Sequence, residues 1–128
     1  MNNILITGSS GFVGVNLLKK LDKLNYNLIT PRSFEYDLRK QDECEKLFVD
    51  NEIDCVIHLA ATCGGIGANM KSPGRFFYDN ITMGVNVIEN CRKFQTQKII
   101  FLGTVCSYPK HCAVPFREID IWNGYPEE

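Results

Sequence analysis

The sequence has no apolar run of about 18 residues, the length at which a helix can span a bilayer, and no basic amino-terminal segment leading to a small-residue cleavage site. A membrane span and an export signal are therefore not expected, and the chain reads as soluble and cytoplasmic. Blocks of like charge are missing too: 14 Lys and Arg stand against 15 Asp and Glu, a formal net charge of −1. Without a basic field, binding to nucleic acid or to a membrane surface is not expected. Histidine is scarce, and His58 and His111 are too far apart to build a metal cluster. The six cysteines, Cys44, Cys55, Cys63, Cys91, Cys106 and Cys112, contain no C-x-x-C pair. Neither structural zinc nor a dithiol redox site is expected, so the metal set is none. Cys44, Cys55 and Cys91 sit among apolar residues and read as small core hydrophobes of a reducing compartment. Internal repeats, low-complexity segments and linkers are also absent, and a chain of 128 residues that is 45% hydrophobic fits one globular unit.

What is present is an alternation of periods. "NNILIT" at 2–7 is a short continuous apolar run of the kind that forms a strand buried on both faces, and residues 12–24 repeat apolar side chains at helical spacing. "YNLIT" at 26–30 reads as a second strand ended by Pro31, and "FEYDL" at 34–38 as a short third. Residues 40–51 carry Cys44, Leu47 and Phe48 on one helical face, and "DCVIHLAA" at 54–61 is another buried strand, with His58 near its end. A glycine-rich loop follows. Ser72 and Pro73 then start a helix that runs to about Phe94, and "KIIFLGT" at 98–104 is a fifth strand. Strands alternating with helices imply an α/β, Rossmann-type, doubly wound parallel sheet with right-handed crossovers and strand order 3-2-1-4-5. In such a sheet a ligand lies at the carboxyl ends of the strands, beside the switch point between the first and fourth.

The first strand ends in that place with "TGSSGFVG". Gly8 permits a tight turn, Gly11 lets a diphosphate lie against bare backbone, and Gly14 lets the helix pack close to the strand. The helix N-terminus adds unpaired N–H groups and a partial positive charge. Gly8, Ser10, Gly11, Phe12, Val13 and Gly14 are therefore the candidate phosphate-binding loop, in the strand–turn–helix setting that the motif requires. At the end of the second strand, where an acidic residue would repel a 2′-phosphate, the sequence has "TPRS". Arg32 can pair with that phosphate in bidentate fashion, so NADP is favoured over NAD.

The G-x-x-G-x-x-G spacing, with Thr7 before it, resembles the extended short-chain dehydrogenase/reductase family. "HLAA" at 58–61 is similar to the family's fourth-strand segment, which passes the cofactor, and Asp37 and Leu38 match a pair that contacts adenine. The resemblance thus extends the candidate cofactor set to Asp37, Leu38, Leu59, Ala60, Ala61, Leu102 and Gly103. Within that family, "AATCGGIGANMKSPGRFFYDN" at 60–80 and "FLGTVCSYPK" at 101–110 resemble the GDP-L-fucose synthases, nucleotide-sugar epimerase/reductases. Thr62 and Cys63 depart from that pattern, where Lys and Val are frequent.

The resemblance implies roles for further residues. Reducing a 4-keto sugar needs a hydride and a proton for the developing alkoxide, and the family takes the proton from a tyrosine assisted by a lysine four residues on. Thr104 matches the hydroxyl that bonds the same oxygen, and Cys106 matches a thiol that moves protons next to the ketone. The Y-x-x-x-K pair itself is expected beyond Glu128: Tyr108 is followed at that distance by Cys112, and Tyr125 by nothing. Residues 1–128 are accordingly expected to be an incomplete NAD(P)-binding domain that lacks a sixth strand and the lobe gripping a GDP-sugar, with a homodimer as the complete form. Whether the chain alone is an enzyme stays open. The alternatives are another nucleotide-sugar epimerase or dehydratase, or a non-catalytic dinucleotide-binding module.

Overall fold

The structure is a computed structural model that describes residues 2–126. Its strands are β1 (Asn3–Thr7), β2 (Asn27–Ile29), β3 (Cys55–His58) and β4 (Lys98–Phe101), all parallel, in the order β2-β1-β3-β4. The helices are α1 (Phe12–Leu21), α2 (Gln41–Val49), α3 (Ile66–Lys71) and α4 (Pro73–Lys93). The α/β class and the crossing between the first strand and the one after α2 are as expected. The switch point therefore lies between β1 and β3, where Ile4 pairs with Cys55 and Thr7 with His58.

Period-two alternation assigns the strand side chains to two cores. Ile4 and Ile6 of β1 and Cys55 of β3 face Leu17, Leu18 and Leu21 of α1. Leu5 and Val56 face the opposite way, onto Leu38, Cys44, Leu47, Phe48, Met83, Val87 and Cys91, which come mainly from α2 and α4. Both faces of β1 are thus covered, which is why "ILIT" carries no polar residue before Thr7. On α4 the residues Met83, Val87, Asn90 and Cys91 are buried, while Phe77, Ile81, Val85 and Ile88 form a second, exposed apolar stripe.

The structure corrects two expectations. "FEYDL" forms no strand, so the sheet has four strands among the described residues and its edge is β2. The backbone groups that a strand would offer are used locally. The Arg32 N–H donates to the Glu35 carboxylate at 2.6 Å, the Glu35 and Tyr36 N–H groups donate to the Arg32 carbonyl, and the Asp37 N–H donates to Glu43 at 2.7 Å. Pro31 follows β2 closely and cannot donate to a ladder. The second correction is α3, which forms inside the glycine-rich loop; the Asn69 side chain donates to the Gly64 and Gly65 carbonyls at 2.9 and 3.2 Å. At the other edge, among the described residues, β4 pairs with β3 alone, and after Phe101 the chain leaves the sheet through two short 3₁₀ turns, Val105–Ser107 and Glu118–Trp122.

Candidate functional site

The turn after β1 is built by exclusion of side chains. Gly8 has φ +67, a conformation that disfavours any residue with a Cβ, and an added Cβ would sit 2.6 Å from the Ala60 nitrogen. At Gly14 an added Cβ would sit 2.5 Å from the Gly8 carbonyl oxygen and 2.6 Å from the Ser9 backbone. These two glycines let loop, helix and β3 come together. Gly11 differs: only the Gly8 oxygen, at 3.3 Å, would meet its Cβ, and its own N–H donates to that oxygen at 3.0 Å. It is the N-cap of α1 with no side-chain cap, and the first turn carries no acidic residue. The amide N–H groups at the start of α1 are therefore open to an anion.

Directly behind the glycines, Thr7 and His58 lock β1 to β3. The buried Thr7 Oγ1 accepts from the N–H groups of Leu59 at 3.2 Å and Ala60 at 3.1 Å, and lies 2.9 Å from His58 Nδ1. An oxygen accepting twice has its own proton to give, so the hydroxyl donates to Nδ1 and the imidazole proton sits on Nε2. Burial pushes the His58 pKa down to about 4, and its ring packs on Phe101 with centroids 4.9 Å apart. His58 is a neutral packed acceptor. The signal that could have shown this is the register pairing of a buried threonine with a buried histidine.

A cavity of about 680 Å³ opens over this turn, within the ordinary size of a small-molecule site. Around it lie the glycine loop, residues 31–33, residues 36–39, and the end of β3 through Cys63, with Met83 and Leu102. Of the candidate cofactor residues, Gly8, Ser10, Gly11, Phe12, Val13, Gly14, Arg32, Asp37, Leu38, Leu59, Ala60, Ala61 and Leu102 line it, and Gly103 does not. Thr104 and Cys106 lie outside it, both exposed, with the Thr104 Oγ1 accepting from the Cys106 N–H at 3.2 Å. The Arg32 guanidinium makes no hydrogen bond or ion pair among the described residues. Asp37, by contrast, is engaged. It accepts from Arg39 Nε at 2.9 Å, Nη2 at 2.7 Å and the backbone N–H at 3.1 Å, and Arg39 holds its carboxyl below the usual range.

Sequence reasoning missed the residues of α4 that hold the cavity walls. Asn80 accepts from the Thr62 N–H at 2.8 Å and donates to the Thr62 carbonyl at 2.9 Å, and Asn86 donates to the Leu38 carbonyl at 2.9 Å. Asn80 closes the 60–80 block that carries the resemblance, but amides inside a long helix give no period from which these contacts could be read. One Y-x-x-x-K spacing does occur, at Tyr36 and Lys40. Tyr36 donates its hydroxyl to Asp50 at 2.7 Å, which raises its pKa, and Lys40 pairs with Glu43 at 2.6 Å. Both groups are committed to carboxylates of the surface.

The profile of the NAD dependent epimerase/dehydratase family matches residues 4–125. A GDP-L-colitose synthase of Yersinia pseudotuberculosis is 36% identical over 121 residues, covering 94% of this chain and 39% of that protein. A GDP-L-fucose synthase of Sinorhizobium fredii is also 36% identical, over 94% of this chain and 38% of its own length. A crystal structure of a GDP-L-fucose synthetase from Naegleria fowleri, bound to NADP, superposes with TM-score 0.86 at 30% identity, over 99% of this chain and 39% of that one. The chain thus spans under two-fifths of the length of the curated relatives it matches.

Proposed function

This chain belongs to the NAD dependent epimerase/dehydratase family, and from that premise we propose that residues 1–128 are the NADP-binding part of a nucleotide-sugar epimerase/reductase of the GDP-L-fucose synthase kind. Its substrate is then a GDP-sugar, GDP-4-keto-6-deoxymannose, its place the cytoplasm, and its assembly a homodimer. The names of the relatives and the NADP held by the Naegleria neighbour support this reading. The observation that carries it belongs to this chain. Three glycines bring bare backbone and a helix N-terminus to a cavity whose lining also carries Arg32, a cation with no side-chain partner among the described residues.

In that arrangement Gly8, Ser10, Gly11, Phe12, Val13 and Gly14 hold the diphosphate, and Arg32 holds the 2′-phosphate. Asp37 and Leu38 receive adenine; Arg39 and its amide take three of the acceptor positions of the Asp37 carboxylate, leaving room for one more donor. Leu59, Ala60, Ala61, Leu102 and Gly103 adjoin the nicotinamide half. The bound dinucleotide supplies a hydride. Thr104, whose oxygen already accepts from the Cys106 amide, keeps its hydroxyl proton to donate to the substrate's carbonyl oxygen. The exposed Cys106, as its thiolate, removes a proton from a carbon beside that carbonyl, and a second acid, a histidine by the resemblance, returns a proton to the opposite face so that the centre inverts. The exposed stripe of Phe77, Ile81, Val85 and Ile88 supports an assembly through α4, and six free cysteines suit a reducing compartment.

Titration of the chain with NADPH and NADH tests the reading. NADPH should bind more tightly, and Arg32→Ala should cut that preference by about tenfold to a hundredfold, the worth of one charge-assisted bidentate contact. Absence of binding by either nucleotide would refute the site; equal affinities would refute the Arg32 assignment alone.

A further inference from the structure

Two walls of the cavity come from segments that no strand pairing joins. One is 36–39, beyond the edge strand β2; the other is 59–63, beyond β3. A single buried carboxylate on α4 reaches both. Asp79 Oδ2 accepts from Thr62 Oγ1 at 3.3 Å and lies 3.6 Å from Arg39 Nη1, while Arg75 Nε stands 3.6 Å away on the solvent side. The Asp79 side chain is 8% exposed, Arg39 42% and Arg75 73%. Arg39 is at the same time locked to Asp37 through two side-chain bonds. A chain of contacts therefore runs from Asp37 through Arg39 and Asp79 to Thr62, and both ends of it line the cavity.

Arg39 is the second arginine in that lining, and its charge is already balanced by two carboxylates, whereas the Arg32 guanidinium has none among the described residues. The two cations therefore have different tasks. We infer that Asp79 is a positioning residue that sets the distance between the two cavity walls through Arg39 and Thr62, and that Arg39 serves as its counter-ion and not as a ligand to a 2′-phosphate. The inference rests on reading the cavity as a dinucleotide site. It predicts that breaking the chain weakens every dinucleotide alike, because the walls and not a phosphate contact are disturbed.

The test uses Asp79→Asn and Arg39→Gln, singly and together, in the 128-residue chain. Fluorescence titration with NADPH and with NADH is combined with the thermal midpoint of each unliganded variant. Each single variant should lose about threefold to tenfold in affinity, by the same factor for both nucleotides, and the double variant should lose no more than the worse single one, since contacting residues are not additive. Unchanged affinity in the singles overturns the inference, even where the midpoint falls, because that is a structural role only. A loss of NADPH affinity in Arg39→Gln that NADH does not share also overturns it, making Arg39 a phosphate ligand. Should Asp79→Asn fail to fold, Arg39→Gln, at a half-exposed position, decides the matter by the same two outcomes. A parent chain that binds neither nucleotide refutes the dinucleotide reading, and the inference falls with it.

Discussion

Gly14→Ala and Gly74→Ala are the same chemical change in two helices, and the structure gives them opposite signs. Intrinsic helix propensity favours alanine by up to about 1 kcal/mol at such positions, and the loss of freedom in the unfolded chain is alike for both. At Gly74, near the start of α4, an added Cβ meets nothing within 4 Å, so a gain of a few tenths to about 1 kcal/mol should survive. At Gly14 the Cβ would lie 2.5 Å from the Gly8 oxygen and 2.6 Å from the Ser9 Cα and carbonyl carbon. These are backbone atoms of the glycine turn and cannot swing away as a side chain would. Overpacking of that kind costs about 1–3 kcal/mol, and three backbone collisions place it at the upper end. Subtracting the propensity gain leaves Gly14→Ala about 2 kcal/mol less stable. For a chain of 128 residues that is a fall of roughly 6–10 °C in Tm, from about 3–5 °C per kcal/mol. Thermal and urea denaturation at low protein concentration, followed by far-ultraviolet circular dichroism, reads both variants. A Gly14→Ala chain as stable as the parent, or more so, would show that the helix can shift from the loop at no cost and would refute the close-packing account of this glycine.

Thr7→Val leaves the Ala60 amide and His58 Nδ1 without their partner, while the Leu59 amide keeps the Thr7 carbonyl at 3.2 Å, and should cost about 2 kcal/mol in urea unfolding; a change under about 0.5 kcal/mol would deny the clamp. His58 has a folded pKa near 4 against 6.5 unfolded, so the unfolded chain binds the extra proton. Its contribution to stability should be complete above pH 6.5 and lost as pH falls towards 4, by about 3 kcal/mol in all. Stability-against-pH curves of the parent and His58→Asn that run parallel through this window would exclude that role. Among the cysteines, Cys63 and Cys106 are exposed, while burial pushes the Cys44 thiol up to about 11 and raises Cys55 and Cys91. An aromatic disulfide reagent should label the exposed pair quickly and the buried three only on unfolding. NADPH should protect Cys63, which lines the cavity, and not Cys106; equal protection would misplace the cavity. The 128-residue polypeptide should also self-associate, through the unpaired edge of β4 or the apolar stripe of α4. Sedimentation as a monomer at high concentration would contradict this, and Ile81→Lys should reduce association if the helix is responsible.

Most of the sheet was legible because β1, β3 and β4 are continuous apolar runs, and both faces of a central parallel strand are buried. "ILIT" and "CVIH" could hardly be anything else between glycine and polar boundaries. "FEYDL" was misread for a reason that pattern cannot show. Its alternation satisfies the strand template, but Glu35 and Glu43 take up the amides of Arg32 and Asp37, and those bonds depend on where the side chains reach. The helix α3 escaped notice because its six residues hold one glycine and lie among others, too short for a period to emerge. For the cavity, the glycine loop and the end of β3 were legible, since a motif fixes both spacing and context. Residues Asn80, Asn86 and Asp79 were not. Asp79 and Asn80 close the 60–80 block, but each of the three acts across a long sequence separation from the interior of a helix, and nothing local marks the partner it reaches.

The register of β1 against β3 explains why residues so far apart in sequence make one site. Pairing Thr7 with His58 places the last residue of β1 beside the last residue of β3, so the turns that follow leave the sheet at the same level. Gly8 then faces the backbone of Leu59 and Ala60 at a distance that no Cβ could share, and the Thr7 hydroxyl reaches the amides of the same two residues. A slip of one residue would turn Ile6 and Leu5 to the wrong cores and carry Thr7 away from His58. The buried apolar residues of β1 thus hold the register, and the register in turn holds the glycine turn against β3. The cavity depends on side chains that never touch it, and substitutions at Leu5 or Val56 should therefore weaken nucleotide binding as well as the fold.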